Sequence, residues 1–203
     1  MTRDFLWFVL LKDALPRAED LFSALPKDKK DKALRYVRLE DRVRSAIGSL
    51  LIQKAAGGKP VLLSSKGKPY VDGGPHFSLS HAGDYIGLYV SAHNCGFDVE
   101  EISRCDVSIV PAAFTPEEAK EISDSSTMAA CWTLKEALAK CQGEGILSPK
   151  TVGFARHGDK VEYMGRLYVA KTFIQDGHAF SLVNESNAVF PEPTFQAIDA
   201  LLK

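Results

Sequence analysis

Long helical patterns followed by short strands occur twice along this 203-residue chain, and that repeated order restricts the fold more than any other feature. The first helical region extends from about residue 27 to 56, with a break expected near residues 38–41, and it ends at Gly57-Gly58. The short apolar or alternating runs that follow it cover residues 77–80, 85–91 and 96–101. Because turn-forming residues separate these runs, the pattern predicts three strands in an antiparallel meander.

The second occurrence begins at a sequence typical of a helix start. Thr115 and Glu118 can form a capping box, with a proline at the first helical position between them. A longer helix is predicted at about residues 126–142. The strand candidates behind it cover residues 152–156, 160–164, 167–174 and 179–184. The chain is therefore predicted to be an α+β protein with two similar halves, 1–105 and 106–203, in which a helix packs on an antiparallel sheet.

Composition excludes several classes of protein. A hydrophobic content of 45% and a charged content of 25% describe an ordinary globular chain. The apolar run at residues 5–11 is far shorter than the ~20 residues that span a bilayer, and no signal-peptide cleavage pattern follows it. We therefore expect a buried first strand and no association with a membrane.

The four cysteines lack any C-x-x-C spacing. They are Cys95, Cys105, Cys131 and Cys141. This spacing argues against a structural zinc site or a dithiol redox centre, so reduced thiols are expected. Together with the absence of an export signal, this favours a cytoplasmic location.

Charge is balanced overall but uneven along the chain. With 25 basic and 26 acidic residues the net charge is −1, so no bulk attraction to nucleic acid is expected. Residues 27–44, however, contain eight cations and four anions. The cations are Lys27, Lys29, Lys30, Lys32, Arg35, Arg38, Arg42 and Arg44. This local excess suits a phosphate-rich ligand, and the alternative is a solvated helix face threaded with charge pairs.

Two acidic residues alternate in the third predicted strand of the first half. Side chains of an extended strand point to alternate faces, so Asp98 and Glu100 project together while Phe97 and Val99 enter the core. Carboxylate oxygens suit a hard cation such as magnesium. The alternative is a solvated strand edge whose carboxylates face water.

The predicted helix at residues 126–142 presents a polar face. At roughly 100° per residue, Trp132, Glu136 and Lys140 share one side, with Lys135 about 60° away. The opposite arc holds an apolar stripe of Cys131, Leu134, Ala137, Leu138 and Cys141. Packing of this stripe would aim Glu136 and Lys140 outward, so that Glu136 could join the two strand carboxylates around one cation. A simple helix ion pair between Glu136 and Lys140 is the alternative.

Five short motifs occur in a fixed order. They are Gly67-Lys68-Pro69, Ser80-His81 at a strand end, G-x-D-x-E at 96–100, F-x-x-x-E at 114–118 and W-x-x-K-E-x-x-x-K at 132–140. In this combination the chain resembles the surfactin-type 4′-phosphopantetheinyl transferases. The resemblance implies a pseudo-twofold pair of α+β subdomains with the active site in the cleft between them, in a monomer that forms an internal pseudo-dimer.

The resemblance also implies roles for individual residues. Asp98, Glu100 and Glu136 would hold Mg²⁺, and Lys140 would bind the pyrophosphate of coenzyme A. Glu136 would also act as the general base, and Lys135 would assist with charge unless it is a solvated helix lysine. The residues implied to contact coenzyme A are Lys29, Lys32, Arg44, Lys68, Pro69, Ser80, His81 and Lys140.

Several of these residues have a simpler explanation when taken alone. His81 could be a satisfied structural histidine, and Gly67-Lys68-Pro69 could be an ordinary turn. The capping box accounts for Glu118, which is kept as a second-tier site residue. Trp132 is expected to be exposed and to shape the cleft.

The implied activity is magnesium-dependent transfer of 4′-phosphopantetheine from coenzyme A to a serine of an acyl or peptidyl carrier protein, with release of adenosine 3′,5′-bisphosphate. Such carriers serve fatty acid, polyketide or nonribosomal peptide biosynthesis. Two other functions fit the same residues: a metal-dependent phosphoanhydride hydrolase, and a non-catalytic relative that binds coenzyme A or a carrier protein. Since the sequence has no G-x-x-x-x-G-K-[ST] or G-x-G-x-x-G loop, side chains and metal must hold the phosphates.

Overall fold

The first half of the chain begins with a strand that leads directly into helices. The computed structural model of the protein describes residues 4–143, 152–186 and 189–202. The first elements are β1 (Phe5–Leu10), α1 (Leu11–Ala14), a 3₁₀ turn (Leu15–Arg17), α2 (Ala18–Ala24), α3 (Lys27–Leu34) and α4 (Leu39–Ala56). Leu6 and Phe8 of β1 are buried, which confirms the prediction of a buried first strand.

The helical region predicted at residues 27–56 is interrupted, slightly earlier than expected. Residues 35–38 separate α3 from α4, and α4 begins after Arg38, whose backbone is extended. At the other end Gly57 adopts φ 58°, in the left-handed region that glycine tolerates best. The glycine therefore ends α4 where the sequence predicts.

Five strands follow in the first half. They are β2 (Leu62–Leu63), β3 (Pro69–Tyr70), β4 (His76–Ala82), β5 (Tyr85–Ser91) and β6 (Cys95–Glu101). β4 and β5 pair antiparallel, with Phe77 opposite Val90, as the meander prediction requires.

The second half repeats the order of helices followed by strands. Its helices and strands are α5 (Val110–Ala113), α6 (Pro116–Ala119), α7 (Ser125–Gln142), β7 (Phe154–His157), β8 (Lys160–Tyr163), β9 (Arg166–Gln175), β10 (His178–Asn184), β11 (Pro193–Phe195) and α8 (Ile198–Leu201). The capping box predicted between Thr115 and Glu118 is formed at the start of α6. α7 matches the predicted helix at residues 126–142.

The two main sheets exchange strands between the halves. One sheet has the order β11, β1, β5, β4, and the other has the order β6, β10, β9, β8, β7. β6 precedes the division predicted at residue 105, yet its backbone pairs antiparallel with β10 of the second half. β11, in turn, pairs in parallel with β1. The predicted meander is therefore wrong for its third strand.

Ser78 explains how β6 lies beside β4 without joining its sheet. The hydroxyl of Ser78 accepts a hydrogen bond from the Phe97 amide at 2.9 Å, and it lies 3.4 Å from the Phe97 carbonyl oxygen, to which it can donate. A side chain thus satisfies backbone groups that a neighbouring strand would otherwise satisfy. This leaves β6 free to pair with β10 along its whole length.

Each half packs one 18-residue helix on a sheet, α4 on the first and α7 on the second. The apolar stripe predicted on α7 is buried at all five positions. Gly96 permits the close approach of β6 to α7, because a Cβ there would lie 1.8 Å from the Ala137 carbonyl oxygen. Packing against α7 therefore requires glycine at the first position of the G-x-D-x-E motif.

Each half has its own hydrophobic core, and a third hydrophobic cluster lies between the two sheets. Phe8 and Tyr89 of the first sheet pack with Phe97, Phe180 and Leu182 of the second. The result is a mixed α/β architecture in which the halves meet through buried side chains. The pseudo-twofold relation and the division at residue 105 stay predictions. None of the helices in the described ranges combines the length and apolar character needed to cross a membrane.

Candidate active site

Asp98 is the most buried of the three predicted carboxylates, and it lies in the middle of β6 with 4% of its surface exposed. The Ser80 hydroxyl on β4 donates to Asp98 Oδ1 at 2.6 Å. Lys140 Nζ on α7 donates to the same oxygen at 2.6 Å and lies 3.0 Å from the Ser80 hydroxyl. Residues far apart in the sequence, on β4, β6 and α7, therefore meet at one carboxylate oxygen.

Glu100 and Glu136 are close enough to Asp98 for its charge to affect them. Burial, and next the charge of Asp98, raise the pKa of Glu100 to about 7, with a further contribution from Glu136. Burial, and next Asp98, also raise the pKa of Glu136, while Lys140 lowers it. The three carboxylates thus repel one another in a partly desolvated place, with Lys140 as their nearest described counter-charge.

The chemistry of these groups fits a hard divalent cation. Asp98 Oδ2 is buried and has no hydrogen-bond partner among the described residues, although buried carboxylate oxygens normally have one. Oxygen donors with uncompensated negative charge are the ligands that Mg²⁺ prefers. In the described ranges, however, no three His, Cys, Asp or Glu side chains are arranged as a formed metal site. The fit of Asp98, Glu100 and Glu136 to a metal therefore rests on donor chemistry and charge.

A buried hydroxyl network supports the helix that carries Glu136. Ser181 on β10 lies opposite Asp98 in the sheet register. Its hydroxyl hydrogen-bonds to Thr133 of α7 at 2.9 Å and to Thr172 of β9 at 2.8 Å. The network ties α7 to the sheet one turn before Glu136. Sequence reasoning missed these residues because nothing local indicates that β6 and β10 are neighbours.

Lys68 has a structural role at α7, and its implied contact with coenzyme A stays a prediction. Its ammonium donates to the Lys140 carbonyl at 2.7 Å and to the Cys141 carbonyl at 3.2 Å, at the C-terminal end of α7. A cation there binds the last carbonyls of the helix, where backbone partners are few, and interacts favourably with the helix dipole. Lys68 therefore fixes the end of α7 that carries Lys140.

A cleft of about 360 Å³ lies between the Gly67-Lys68-Pro69 turn and the C-terminal end of α7, where Lys140 and Gly143 line it. A second cleft of about 250 Å³ shares Ile52 and Leu79 with the first. A third, of about 420 Å³, continues from the second to Glu100. We call these three connected clefts the groove.

Arg44 and His81 line both the second and the third cleft. The Arg44 guanidinium donates to Asp41 at 2.9 Å and to the Gly83 carbonyl at 2.8 Å, and its Nε is buried without a partner among the described residues. Partial desolvation in the groove, followed by the charge of Arg44, lowers the pKa of His81. Arg44 and His81 therefore line the groove and Ser80 contacts Asp98, while the contacts of these three residues with coenzyme A stay predictions.

The remaining basic residues divide between the groove and the surface. Lys32 lines the second cleft. Lys29 instead pairs with Asp28 at 3.2 Å and does not line any of the three clefts of the described structure. Arg104, which the sequence analysis did not single out, lines the third cleft beside Glu100. Its position follows from the short 3₁₀ turn after β6, which local pattern alone does not predict.

Lys135 is not at the solvent-facing side of α7, where it was expected. Its side chain is fully buried, and Nζ donates to Glu118 Oε2 at 2.7 Å and to the Ala113 carbonyl at 3.3 Å. The alternative of a solvated lysine is therefore wrong. The 60° offset from Glu136 turns Lys135 towards α6, where Glu118 forms the other half of a buried ion pair.

Glu118 does more than cap a helix. It accepts from the Thr115 amide at 2.8 Å, as a capping box requires, and its second oxygen accepts from the Phe154 amide at 3.0 Å. Glu118 therefore joins α6, α7 and β7. Trp132 is half-buried against Phe114, with ring centroids 5.8 Å apart, so it packs on the core of the second half rather than standing exposed in the cleft.

The cations of the groove and the adjacent carboxylates have the charges that a phosphate-containing ligand and a divalent cation would require. Residues 94–183 match the family model of the 4′-phosphopantetheinyl transferase superfamily. The matched region contains β6, α7 and β10, and hence Asp98, Glu100, Glu136 and Lys140. The resemblance to this family indicated by the five motifs is thereby confirmed.

Curated relatives give the same result. The chain is 32% identical to the 4′-phosphopantetheinyl transferase gsp of Aneurinibacillus migulanus over 143 residues, covering 64% of this chain and 60% of the relative. It is 30% identical to a 4′-phosphopantetheinyl transferase of Bacillus subtilis over 145 residues, covering 64% of this chain and 65% of the relative. The similarity thus spans less than two thirds of the length of these relatives.

Proposed function

We propose that this protein transfers the 4′-phosphopantetheine group of coenzyme A to a serine hydroxyl of an acyl or peptidyl carrier protein, with Mg²⁺, and releases adenosine 3′,5′-bisphosphate. The observation that carries the proposal is the meeting of Ser80, Asp98 and Lys140 at the end of a cation-lined groove. The similarity to transferases of this name supports it.

Coenzyme A would lie along the groove. Its adenine would occupy the first cleft near Pro69, which offers apolar walls beside a turn. Its phosphates would face Lys32, Arg44, His81 and Ser80, since cations and hydroxyl donors bind phosphate oxygens. Because the pKa of His81 is lowered, this residue would act as a neutral hydrogen-bond donor at neutral pH rather than as a cation.

Asp98, Glu100 and Glu136 are the candidate ligands of Mg²⁺. When bound, such an ion would offset the negative charge of the pyrophosphate oxygens. Lys140 is already at this place, 2.6 Å from Asp98, so it can provide a second positive charge for the phosphate that departs.

Glu136 is the candidate general base. In the transfer, the serine oxygen forms a bond to the β-phosphorus of coenzyme A, the bond from that phosphorus to the adenosine bisphosphate breaks, and the serine proton passes to Glu136. Burial and the charge of Asp98 raise the pKa of Glu136, which makes it a stronger base than an ordinary carboxylate. We further propose that the protein acts as a cytoplasmic monomer.

The decisive experiment incubates the protein with coenzyme A, Mg²⁺ and several apo carrier proteins, and measures the mass of each carrier. A mass gain equal to one phosphopantetheine group is the expected result. Release of adenosine 3′,5′-bisphosphate without any carrier would instead identify a hydrolase. Coenzyme A binding with no product on any carrier would identify a non-catalytic relative.

A further inference from the structure

The basic run at residues 27–44 is only partly explained by the groove. Of its eight cations, Lys32 and Arg44 line the groove. The other six lie on α3, in the interruption that follows it and on α4. We define the α3–α4 surface by its cations, of which Lys30 is half-buried and the others are exposed, and by its exposed apolar residues: Lys27, Lys30, Leu34, Arg35, Val37, Arg38 and Leu39.

The apolar residues of this surface are unusually exposed. Val37 is 91% exposed, Leu39 46% and Leu34 38%, all within six residues. Single exposed apolar side chains are ordinary, but a group of them surrounded by charge is typical of an interaction site. The interruption between α3 and α4 holds Val37 out from the body of the protein.

The cations of this surface are not engaged internally. Within this run, Lys29 pairs with Asp28 and Arg44 pairs with Asp41. Among the described residues, no ion pair is formed by the other lysines and arginines of the α3–α4 surface. The alternative interpretation of residues 27–44 was a helix face threaded with charge pairs. Such pairs therefore do not account for the positive charge of the α3–α4 surface.

We propose that the α3–α4 surface docks an acidic face of the carrier protein, with Val37 inserted among apolar side chains of that partner. This inference rests on the proposed function, which requires a protein to bring a serine to the groove. Unpaired cations favour a partner that carries carboxylates. A projecting apolar side chain favours a partner with a matching apolar depression.

Continuity with the groove supports this partner. Tyr36 and Lys32 lie between residues of the α3–α4 surface in the sequence and also line the second cleft. Arg44 and His81 then lead from the second cleft to Glu100 through the third. A protein docked on the α3–α4 surface would therefore lie beside the groove that leads to the carboxylates.

An anionic bilayer fits the surface less well. Asp28, Asp31, Glu40 and Asp41 are interspersed among the cations, and they would be repelled by anionic lipid. α3 also lacks an apolar face for insertion, since its single buried residue is Ala33. Alternating charges are better suited to the discrete pairs of a protein interface.

The test compares carrier modification by the wild type, by Val37→Asp and by the double reversal Lys27→Glu/Arg35→Glu. None of these residues lines the groove. Matched controls are Leu167→Asp, a 54% exposed leucine on β9, and Lys160→Glu/Lys171→Glu, which changes net charge equally on the second sheet. Kinetics are measured separately against the carrier and against coenzyme A, at low and high salt.

Docking on this surface predicts that both α3–α4 variants lower kcat/KM for the carrier by at least about fivefold at low salt, with the KM for coenzyme A unchanged. The loss of kcat/KM caused by the double reversal should be smaller at high salt, because salt screens the ion pairs between the wild-type surface and the carrier. If both α3–α4 variants have the same kcat/KM for the carrier as their controls, the docking proposal is wrong and the proposed function is unaffected. If the wild type modifies no carrier, the proposed function itself fails, and this inference with it.

A membrane partner is a separate outcome. Each protein is sedimented with vesicles of phosphatidylcholine containing phosphatidylserine. If the wild type binds them, the double reversal does not, and carrier modification is unaffected, the surface serves a membrane and the proposal is wrong.

Discussion

Lys140 on α7 donates to Asp98 on β6 with an N–O distance of 2.6 Å, and this bond links the helix of the second half to the most buried carboxylate of the site. The side chain of Asp98 is 5% exposed and that of Lys140 is 30% exposed. The lysine thus provides the counter-charge at the place where the proposed cation would bind.

Replacement of Lys140 by Met should make the protein more dependent on magnesium for stability. The change leaves Asp98 without its charged partner, which should lower the free energy of unfolding by roughly 1–3 kcal/mol in EDTA. Added Mg²⁺ should then raise the melting temperature of K140M more than that of the wild type, because a bound cation replaces the lost charge. Thermal unfolding with EDTA and with Mg²⁺ measures both effects. Equal stabilisation of K140M, the wild type and the control K160M by Mg²⁺ would argue against a cation site at Asp98.

Glu136→Gln should abolish catalysis while preserving the fold. The amide cannot accept the serine proton and is a poorer cation ligand, so carrier modification should fall by about 10²–10⁴-fold if Glu136 is the base. Mass spectrometry of the carrier gives the rate, and circular dichroism with thermal unfolding checks the fold. Turnover close to that of the wild type would refute the role of Glu136.

Stability without divalent cations should fall as the pH rises towards and through about 7. The pKa of Glu100 is raised from 4.5 to about 7 by burial, followed by the charges of Asp98 and Glu136. Between these two values the folded state binds a proton that the unfolded state has released, so the free energy of unfolding decreases with rising pH. Melting temperatures measured in EDTA between about pH 5 and 8 should show this slope, which Glu100→Gln should reduce. A slope unchanged in E100Q would assign the effect to another group.

The buried pair of Lys135 and Glu118 should contribute strongly to stability. Lys135→Met alone leaves a buried carboxylate without its cation and should cost about 3–5 kcal/mol. The double variant K135M/E118Q should recover part of this loss, because it removes the buried charge and because the one amide oxygen of glutamine can still accept from either the Thr115 or the Phe154 amide. The exposed pair Lys120–Glu117, changed in the same way to K120M/E117Q, should cost less than about 1 kcal/mol. Denaturant unfolding measures all three.

The same double variant tests whether Lys135 takes part in catalysis. A folded K135M/E118Q protein with near-normal kcat would show that Lys135 stabilises the fold and does not act on the phosphates. A loss of kcat in a protein of restored stability would support the catalytic role implied by the resemblance.

Local sequence patterns predict much of this architecture because they report properties of single elements. Strand alternation places Asp98 and Glu100 on one face, and helical periodicity separates the buried stripe of α7 from Glu136 and Lys140. The capping box at Thr115 and Glu118 forms as the sequence predicts. The glycine at position 57 ends α4 where expected.

Contacts between distant elements are less accessible from the sequence. Periodicity gives the direction of a side chain but not what packs opposite it. A charge-assisting or a solvated Lys135 both fitted the sequence, whereas the structure buries this side chain against Glu118 of α6. Lys68 lines the first cleft, which is proposed to hold the adenine, but the sequence did not predict that its ammonium reaches the carbonyls at the end of α7. Neither partner can be inferred without the tertiary arrangement.

By itself, the sequence determined the order of helices and strands, the faces on which the acidic residues lie and the family that the chain resembles. Only the tertiary structure decided that β6 pairs with β10, that Ser80 and Lys140 meet at Asp98, and that the groove runs past Arg44 to Glu100. The physical reason is that periodicity and capping act over a few neighbouring residues, whereas strand pairing and ion pairing depend on which surfaces the whole chain brings together.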